Sequence, residues 1–263
     1  MKIVRFTAGG EVFFGSLEGR VVTKIRGDVF GEYALSEETY VISEIVLLAP
    51  AAPPNVIAIG LNYRSHAGES GAAPPERPII FIKANTSVTA HNSPIRLPAA
   101  ALDEVDYEAE LCVVIGKTAK NVSEENALDH VLGYTCGNDV SARDCQLRLD
   151  SQWARGKSFD TFCPIGPHIE TGIKDPDNLQ IVSRVNGAVM QNSNTANMIF
   201  PVRTLISYCS RNMTLLPGTV IMTGTPEGVG FARKPPVFLR DGDAVEVEIE
   251  GIGVLANHVT TDI

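Results

Sequence analysis

Basic residues are in short supply in this chain: 22 lysines and arginines face 31 aspartates and glutamates, a formal net charge of −9. No basic stripe exists to neutralise phosphates, which argues against nucleic acid as a general partner and leaves any anionic ligand in need of local cationic help. The five cysteines, at 112, 136, 145, 163 and 209, are odd in number and form no Cys-x-x-Cys pair, which disfavours zinc. Reduced, buried thiols in a cytosolic protein account for them. No apolar run approaches a membrane span, and the start of the chain lacks an apolar core of signal-peptide length. A soluble, cytoplasmic protein without a membrane partner is expected. Internal repeats are also missing, and the only biased tract is one Pro/Ala cluster.

What is present describes a globular protein. Of 263 residues 44% are hydrophobic and 20% charged, enough for a substantial core and too apolar for disorder. Residues 1–48 alternate in short segments split by glycine-containing turns, the pattern of a small antiparallel β unit. Residues 49–54 read as a stiff linker. Strand patterns then dominate, at 55–60, 78–83, 105–115, 179–185, 219–223 and 244–250, with Asn186-Gly187 and Asp241-Gly242 as turns. Helices are predicted over 124–131, behind Ser123 as a cap, and over 201–210, with Pro201 near its start. The predicted class is a β-rich α+β protein, with a small N-terminal β domain over 1–50 and a larger domain over 55–263.

Three acids stand out. Glu108 and Glu110 are one residue apart in the strand-like run from Val105 to Ile115, so their side chains leave the same face, roughly 7 Å apart at Cα. Asp139 follows another apolar stretch. The alternating Glu246, Glu248 and Glu250 belong to a solvent-facing strand edge, but Glu108 and Glu110 run on into Leu111-Cys-Val-Val-Ile115, a stretch suited to burial on both faces. Converging buried carboxylates repel one another unless a cation lies between them, and a hard divalent metal with oxygen ligands fits that need.

Four further segments are dense in reactive side chains. On a helix, His66 and Glu69 share a face, so the carboxylate can orient the imidazole as a general base; alone, such a pair is more often an incidental surface contact. Residues 70–78, small and turn-forming, could act as a lid. Arg143 can grip a carboxylate and Gln146 a water or carbonyl, although a capped helix start with an exposed salt bridge is the better account of the segment taken alone. Lys157 stands among aromatic and small residues, either facing an anion or reaching solvent. Thr225 lies in the glycine-rich segment 222–230, which lacks the spacing and lysine of a phosphate loop and suits a structural turn.

The order of these motifs resembles the fumarylacetoacetate hydrolase family: Asn62-Tyr63 with His66 and Glu69, Glu108-x-Glu110, Asn138-Asp139 with Ala142-Arg-Asp144, Lys157-Ser-Phe-Asp160, Met198-Ile-Phe200 and Thr223-Gly-Thr-Pro-Glu-Gly-Val-Gly230. The resemblance runs from about Asn55 to the C-terminus, and the short N-terminal unit matches the longer bacterial members. It implies a mixed β-roll catalytic fold, a homodimer, and Mg2+ or Mn2+ held by Glu108, Glu110 and Asp139. Lys157 would then stabilise negative charge on the substrate. His66 and Glu69 would form a water-activating dyad on a lid, with Tyr63, Arg143, Gln146 and Thr225 lining the substrate site.

The implied chemistry is hydrolysis of a carbon–carbon bond in a 2,4-dioxo acid, an acylpyruvate or fumarylpyruvate-like compound, through an enolate. The same site could instead serve a 5-carboxymethyl-2-hydroxymuconate or 2-hydroxyhepta-2,4-diene-1,7-dioate isomerase, or an oxaloacetate decarboxylase. A non-catalytic dicarboxylate-binding protein is the alternative of a different class, and it would not need the base.

Overall fold

A computed structural model describes residues 1–101 and 103–261, so the last two residues of the domain expected to end at 263 lie outside them. Five strands open the chain: β1 (Lys2–Ala8), β2 (Glu11–Glu18), β3 (Val21–Gly27), β4 (Tyr33–Val41) and β5 (Val46–Leu48). β6 (Val56–Gly60) leads into a short helix, α1 (Arg64–Glu69), followed by β7 (Ile79–Lys83), β8 (Val88–Thr89) and β9 (Pro94–Leu97). The acidic run forms β10 (Val105–Asp106) and β11 (Ala109–Ile115), with β12 (Val131–Asn138) and β13 (Ser141–Ala142) next. Beyond α2 (Ala154–Lys157) lie β14 (Cys163–Glu170), β15 (Gln180–Val185) and β16 (Ala188–Asn194). The chain continues through α3 (Val202–Asn212), β17 (Val220–Met222), β18 (Ala244–Ile249) and β19 (Gly253–Thr261).

The main sheet has twelve strands in the order β4-β3-β2-β1-β14-β12-β11-β17-β6-β7, with β5 added to β1 and β8 to β14. A second sheet of five runs β16-β15-β18-β19-β9. Both are mixed: β17 is parallel to β6 and β19 to β9, while their other neighbours are antiparallel. The β-rich α+β class expected from the sequence is the class observed. No helix among the described residues is long and apolar enough to cross a membrane.

β11 lies deep in the main sheet, and all seven of its residues are buried. Its alternation divides the core. Leu111, Val113 and Ile115 join Ile181, Val247 and Leu205 in the layer shared with the second sheet and α3. Cys112 and Val114 face the opposite way, towards Ile3, Val56 and Val220. β1 pairs with β14 as well as with β2, so the N-terminal strands continue the sheet that carries the later ones. Within the Pro/Ala tract, Ala51 and Pro53 are buried rather than solvated.

Two sequence expectations change in the structure. The helix predicted over 124–131 is one 3-10 turn, Ala127–His130, whose start lacks a side-chain cap; Val131 is claimed by β12, where it pairs with Ile115. The single strand predicted over 105–115 breaks at Tyr107 and Glu108. There side chains take over from the ladder: Asn138 Oδ1 accepts from the Glu108 N–H at 2.9 Å and Gln191 Oε1 from the Ala109 N–H at 2.9 Å. The helix predicted over 201–210 is present as α3, and Asn186-Gly187 turns β15 into β16 with both residues at positive φ, 51° and 78°.

All five cysteines are free and buried. Burial pushes the thiols of Cys136, Cys163 and Cys209 up to about 12, so they are not thiolate nucleophiles at neutral pH. His168 on β14 is also buried, and its Nε2 has no hydrogen-bond partner. Burial, reinforced by the charge of Lys2, lowers its pKa from 6.5 to about 4. The unfolded chain therefore binds the extra proton first, and stability should fall as the pH drops from about 6.5 through about 4. In urea unfolding across that window, His168→Gln should give a shallower acid slope than the unaltered protein.

Candidate metal centre and active site

Strand pairing brings the three acids together. Ala109 of β11 stands opposite Asn138 of β12, and the Asp139 N–H donates to the Glu108 carbonyl at 2.9 Å. Carboxylate oxygens of Glu108, Glu110 and Asp139 all lie within 4.8 Å of one another, and all three residues are buried.

Cations surround two of them. Lys157 Nζ is 2.8 Å from both Glu108 Oε2 and Asp139 Oδ2. Lys83 Nζ bonds the other oxygen of Asp139 and reaches the Val140 carbonyl at 3.3 Å. Arg143 spans Glu108 Oε1 at 2.7 Å and Asp106 Oδ2 at 2.8 Å. Asp106 also accepts from the N–H groups of Gly230 and Phe231, at 2.7 and 3.0 Å. Burial opposes the charge of Lys157, but Asp139 and Glu108 outweigh it and hold the ammonium above the usual lysine range. Burial likewise works against Glu108, yet Lys157 and Arg143 keep its carboxyl below the ordinary carboxylate range.

Glu110 is different. Among the described residues its hydrogen-bond partner is the Gly224 N–H, 2.7 Å from Oε2. Burial and the neighbouring Asp139 and Glu108 charges push its carboxyl well above the ordinary value. Four buried carboxylates (106, 108, 110 and 139) thus meet three buried cations (83, 143 and 157), so that Glu110 would be uncompensated on ionising. An all-oxygen donor set with an excess negative charge fits a hard divalent cation such as Mg2+ or Mn2+ better than zinc.

Beside the acids, α1 presents His66. Its Nδ1 is 2.8 Å from Glu69 Oε1, and Glu69 accepts in turn from the Gly228 N–H at 2.9 Å. An ionised carboxylate has no proton to give, so Nδ1 is the donor, and in the neutral ring Nε2 then carries the lone pair. Ser65 donates to Glu227, so α1 is tied twice to the loop that follows β17.

A cavity of about 260 Å³ connects these parts. Its charged lining comprises the three acids, Arg143 and Lys157, with His66, Gln146 and Thr225 alongside. Lys157 is therefore the buried partner of an anionic site, not a lysine reaching solvent. Arg143 and Gln146 line the cavity but are engaged with each other, Nη1 to Oε1 at 2.8 Å. The Thr225 hydroxyl accepts from Gln191 Nε2 at 2.7 Å. Tyr63 does not line the cavity: it is fully buried just ahead of α1, and its hydroxyl has no hydrogen-bond partner among the described residues.

Asn62 bonds the Thr223 carbonyl at 2.7 Å and both the N–H and the carbonyl of Phe200, so three of the recurrent motifs are stitched together structurally. Lys83, Asp106 and Gln191 were not foreseen. Asp106 has the same parity as Glu108 and Glu110, and Lys83 is a charge ending an apolar strand; those were the available signals.

Residues 55–260 match the family described as fumarylacetoacetate (FAA) hydrolase, C-terminal, and residues 1–50 match the one described as Rv2993c-like, N-terminal. The oxaloacetate tautomerase fahd2, mitochondrial, of Xenopus laevis is 50% identical over 232 residues, covering 86% of this chain and 72% of that protein. An Archaeoglobus fulgidus protein is 49% identical over 255 residues, 96% of this chain and 94% of its own length. The crystal structure of 5-carboxymethyl-2-hydroxymuconate delta-isomerase from Mycobacterium smegmatis covers all of both chains at 43% identity, with a TM-score of 0.90.

Proposed function

The chain belongs to the fumarylacetoacetate hydrolase family, and from that premise we propose that it catalyses proton transfer at C3 of a small 2-oxo acid, a tautomerase or isomerase reaction supported by Mg2+ or Mn2+. The observation that carries this reading is His66, oriented by Glu69 and lining the same cavity as Glu108, Glu110 and Asp139. When held by those three acids, a divalent cation would supply a Lewis acid for the carboxylate and keto oxygens of such a substrate. His66 carries the proton at Nε2 between C3 and the 2-oxygen, so that the enol loses its hydroxyl proton as C3 gains one, and Glu69 stabilises the imidazolium in between. Lys157 places positive charge beside the oxygen where negative charge develops. The activities named for the Xenopus and Mycobacterium relatives are of this kind.

Hydrolysis of the C3–C4 bond of an acylpyruvate is the second reading. It uses the same base on water, and the 260 Å³ cavity has room for an acyl group. Stopped-flow mixing of enol oxaloacetate with the Mg2+-loaded protein tests the choice. Accelerated loss of enol absorbance without stoichiometric pyruvate is the expected result. Rapid pyruvate release from acetylpyruvate, with enol decay unchanged, would establish hydrolysis instead.

A further inference from the structure

The cavity changes character along its depth. The carboxylates and cations of its floor are buried, whereas the rest of the lining is mainly apolar and partly exposed, with Leu61, Ala72, Phe81, Leu147, Trp153 and Phe231 beside the Ser70 hydroxyl. The lysine and arginine in the lining, Lys157 and Arg143, are both committed to floor carboxylates at 2.7–2.8 Å. Nearby arginines are also engaged: Arg148 with Glu104 at 2.8 Å and Arg155 with Asp150 at 2.6 Å. A ligand carboxylate projecting beyond the floor would therefore lose water and gain no cation.

The wall itself is built with care for one ring. Trp153 meets Phe81 edge to face, 5.6 Å between centroids at 76°. A Cβ at position 60 would lie 2.4 Å from Trp153 Cζ3, so only glycine there lets the indole sit against the end of β6. Lys157 Nζ is 5.3 Å from the Phe81 ring centroid, which places the aromatic pair directly next to the charged floor.

We propose that this site selects 2-oxo acids that carry no charge beyond C4 and favours those with a flat, apolar group there, with Trp153 and Phe81 as the specificity-determining wall. The inference rests on the reading of the floor as a metal-dependent 2-oxo acid site. It narrows that reading to substrates without a carboxylate beyond C4.

Trp153 is the chain's single tryptophan, so its fluorescence reports on occupancy of the wall. The Mg2+-loaded protein is titrated with three inert analogues that share one chelating head: oxamate, N-phenyloxamate and N-oxalylglycine. N-phenyloxamate should bind roughly tenfold more tightly than oxamate, and N-oxalylglycine no more tightly than oxamate. By calorimetry, Trp153→Ala should remove most of the phenyl advantage and leave oxamate unchanged. Leu147 is half exposed, so Leu147→Arg can add a cation without disturbing the core; it should raise affinity for N-oxalylglycine roughly tenfold. Equal or tighter binding of N-oxalylglycine than of N-phenyloxamate by the unaltered protein overturns the proposal alone. Failure of oxamate itself to bind overturns the reading of the floor, and this inference falls with it.

Discussion

Asp139→Ala is expected to abolish binding of Mn2+ and to destabilise the protein by about 3–5 kcal/mol, because it strips two buried ammonium groups of a shared partner. Among the described residues, Lys83 would keep the Val140 carbonyl as its hydrogen-bond partner and Lys157 would keep Glu108. Glu110→Gln should separate the two effects. That carboxyl has no cation of its own, and burial already pushes its pKa well up, so the amide is tolerated where the charge was not. Thermal unfolding without metal should therefore show Glu110→Gln as stable as the unaltered protein or more so. Calorimetry should show it binding Mn2+ more weakly by more than the roughly hundredfold typical of losing an outer hydrogen-bond partner. A Glu110→Gln protein that is destabilised while still binding Mn2+ at full affinity would show that Glu110 serves the fold and not the ion.

His66→Ala should lower kcat by roughly 10²–10⁴-fold while sparing both metal affinity and thermal stability. The ring touches Glu69 but supports no strand ladder, so its removal takes away the base and little else. Glu69→Gln should have a smaller effect, since an amide oxygen can still accept from Nδ1 although it no longer stabilises the imidazolium. Full turnover by His66→Ala in the enol assay would displace it as the base. A parallel loss of Mn2+ affinity would instead mark it as part of the cation site.

The acids were legible in the sequence because a strand period and a buried-strand composition coincide at Glu108 and Glu110, and that coincidence is local. The spacing of His66 and Glu69 is local too. What the chain could not reveal by inspection is pairing across distance. Arg143 reads locally as a ligand grip or an exposed salt bridge, yet Asp106 and Glu108, more than thirty positions away, occupy its fork in a buried site. Lys83 reads as an ordinary strand end until the fold sets it against Asp139. The apolar wall is assembled from β6, β7 and the segment before α2, so no single stretch of sequence announces it. The misread 124–131 segment has the same origin: its acidic first turn favours a helix locally, and the claim of β12 on Val131 overrides it.

The tethering of α1 has a consequence for the time domain. A helix of six residues has almost no stability of its own, so the freedom of His66 is governed by the Ser65–Glu227 and Glu69–Gly228 contacts. Glu110 belongs to β11, a fully buried strand that can open only with much of the sheet, and Glu108 directly precedes it. The proposed base thus rides on a short element held from outside itself, while the carboxylates beneath it are fixed by the sheet. Admission of a ligand and retention of an ion would in this way be placed on separate clocks.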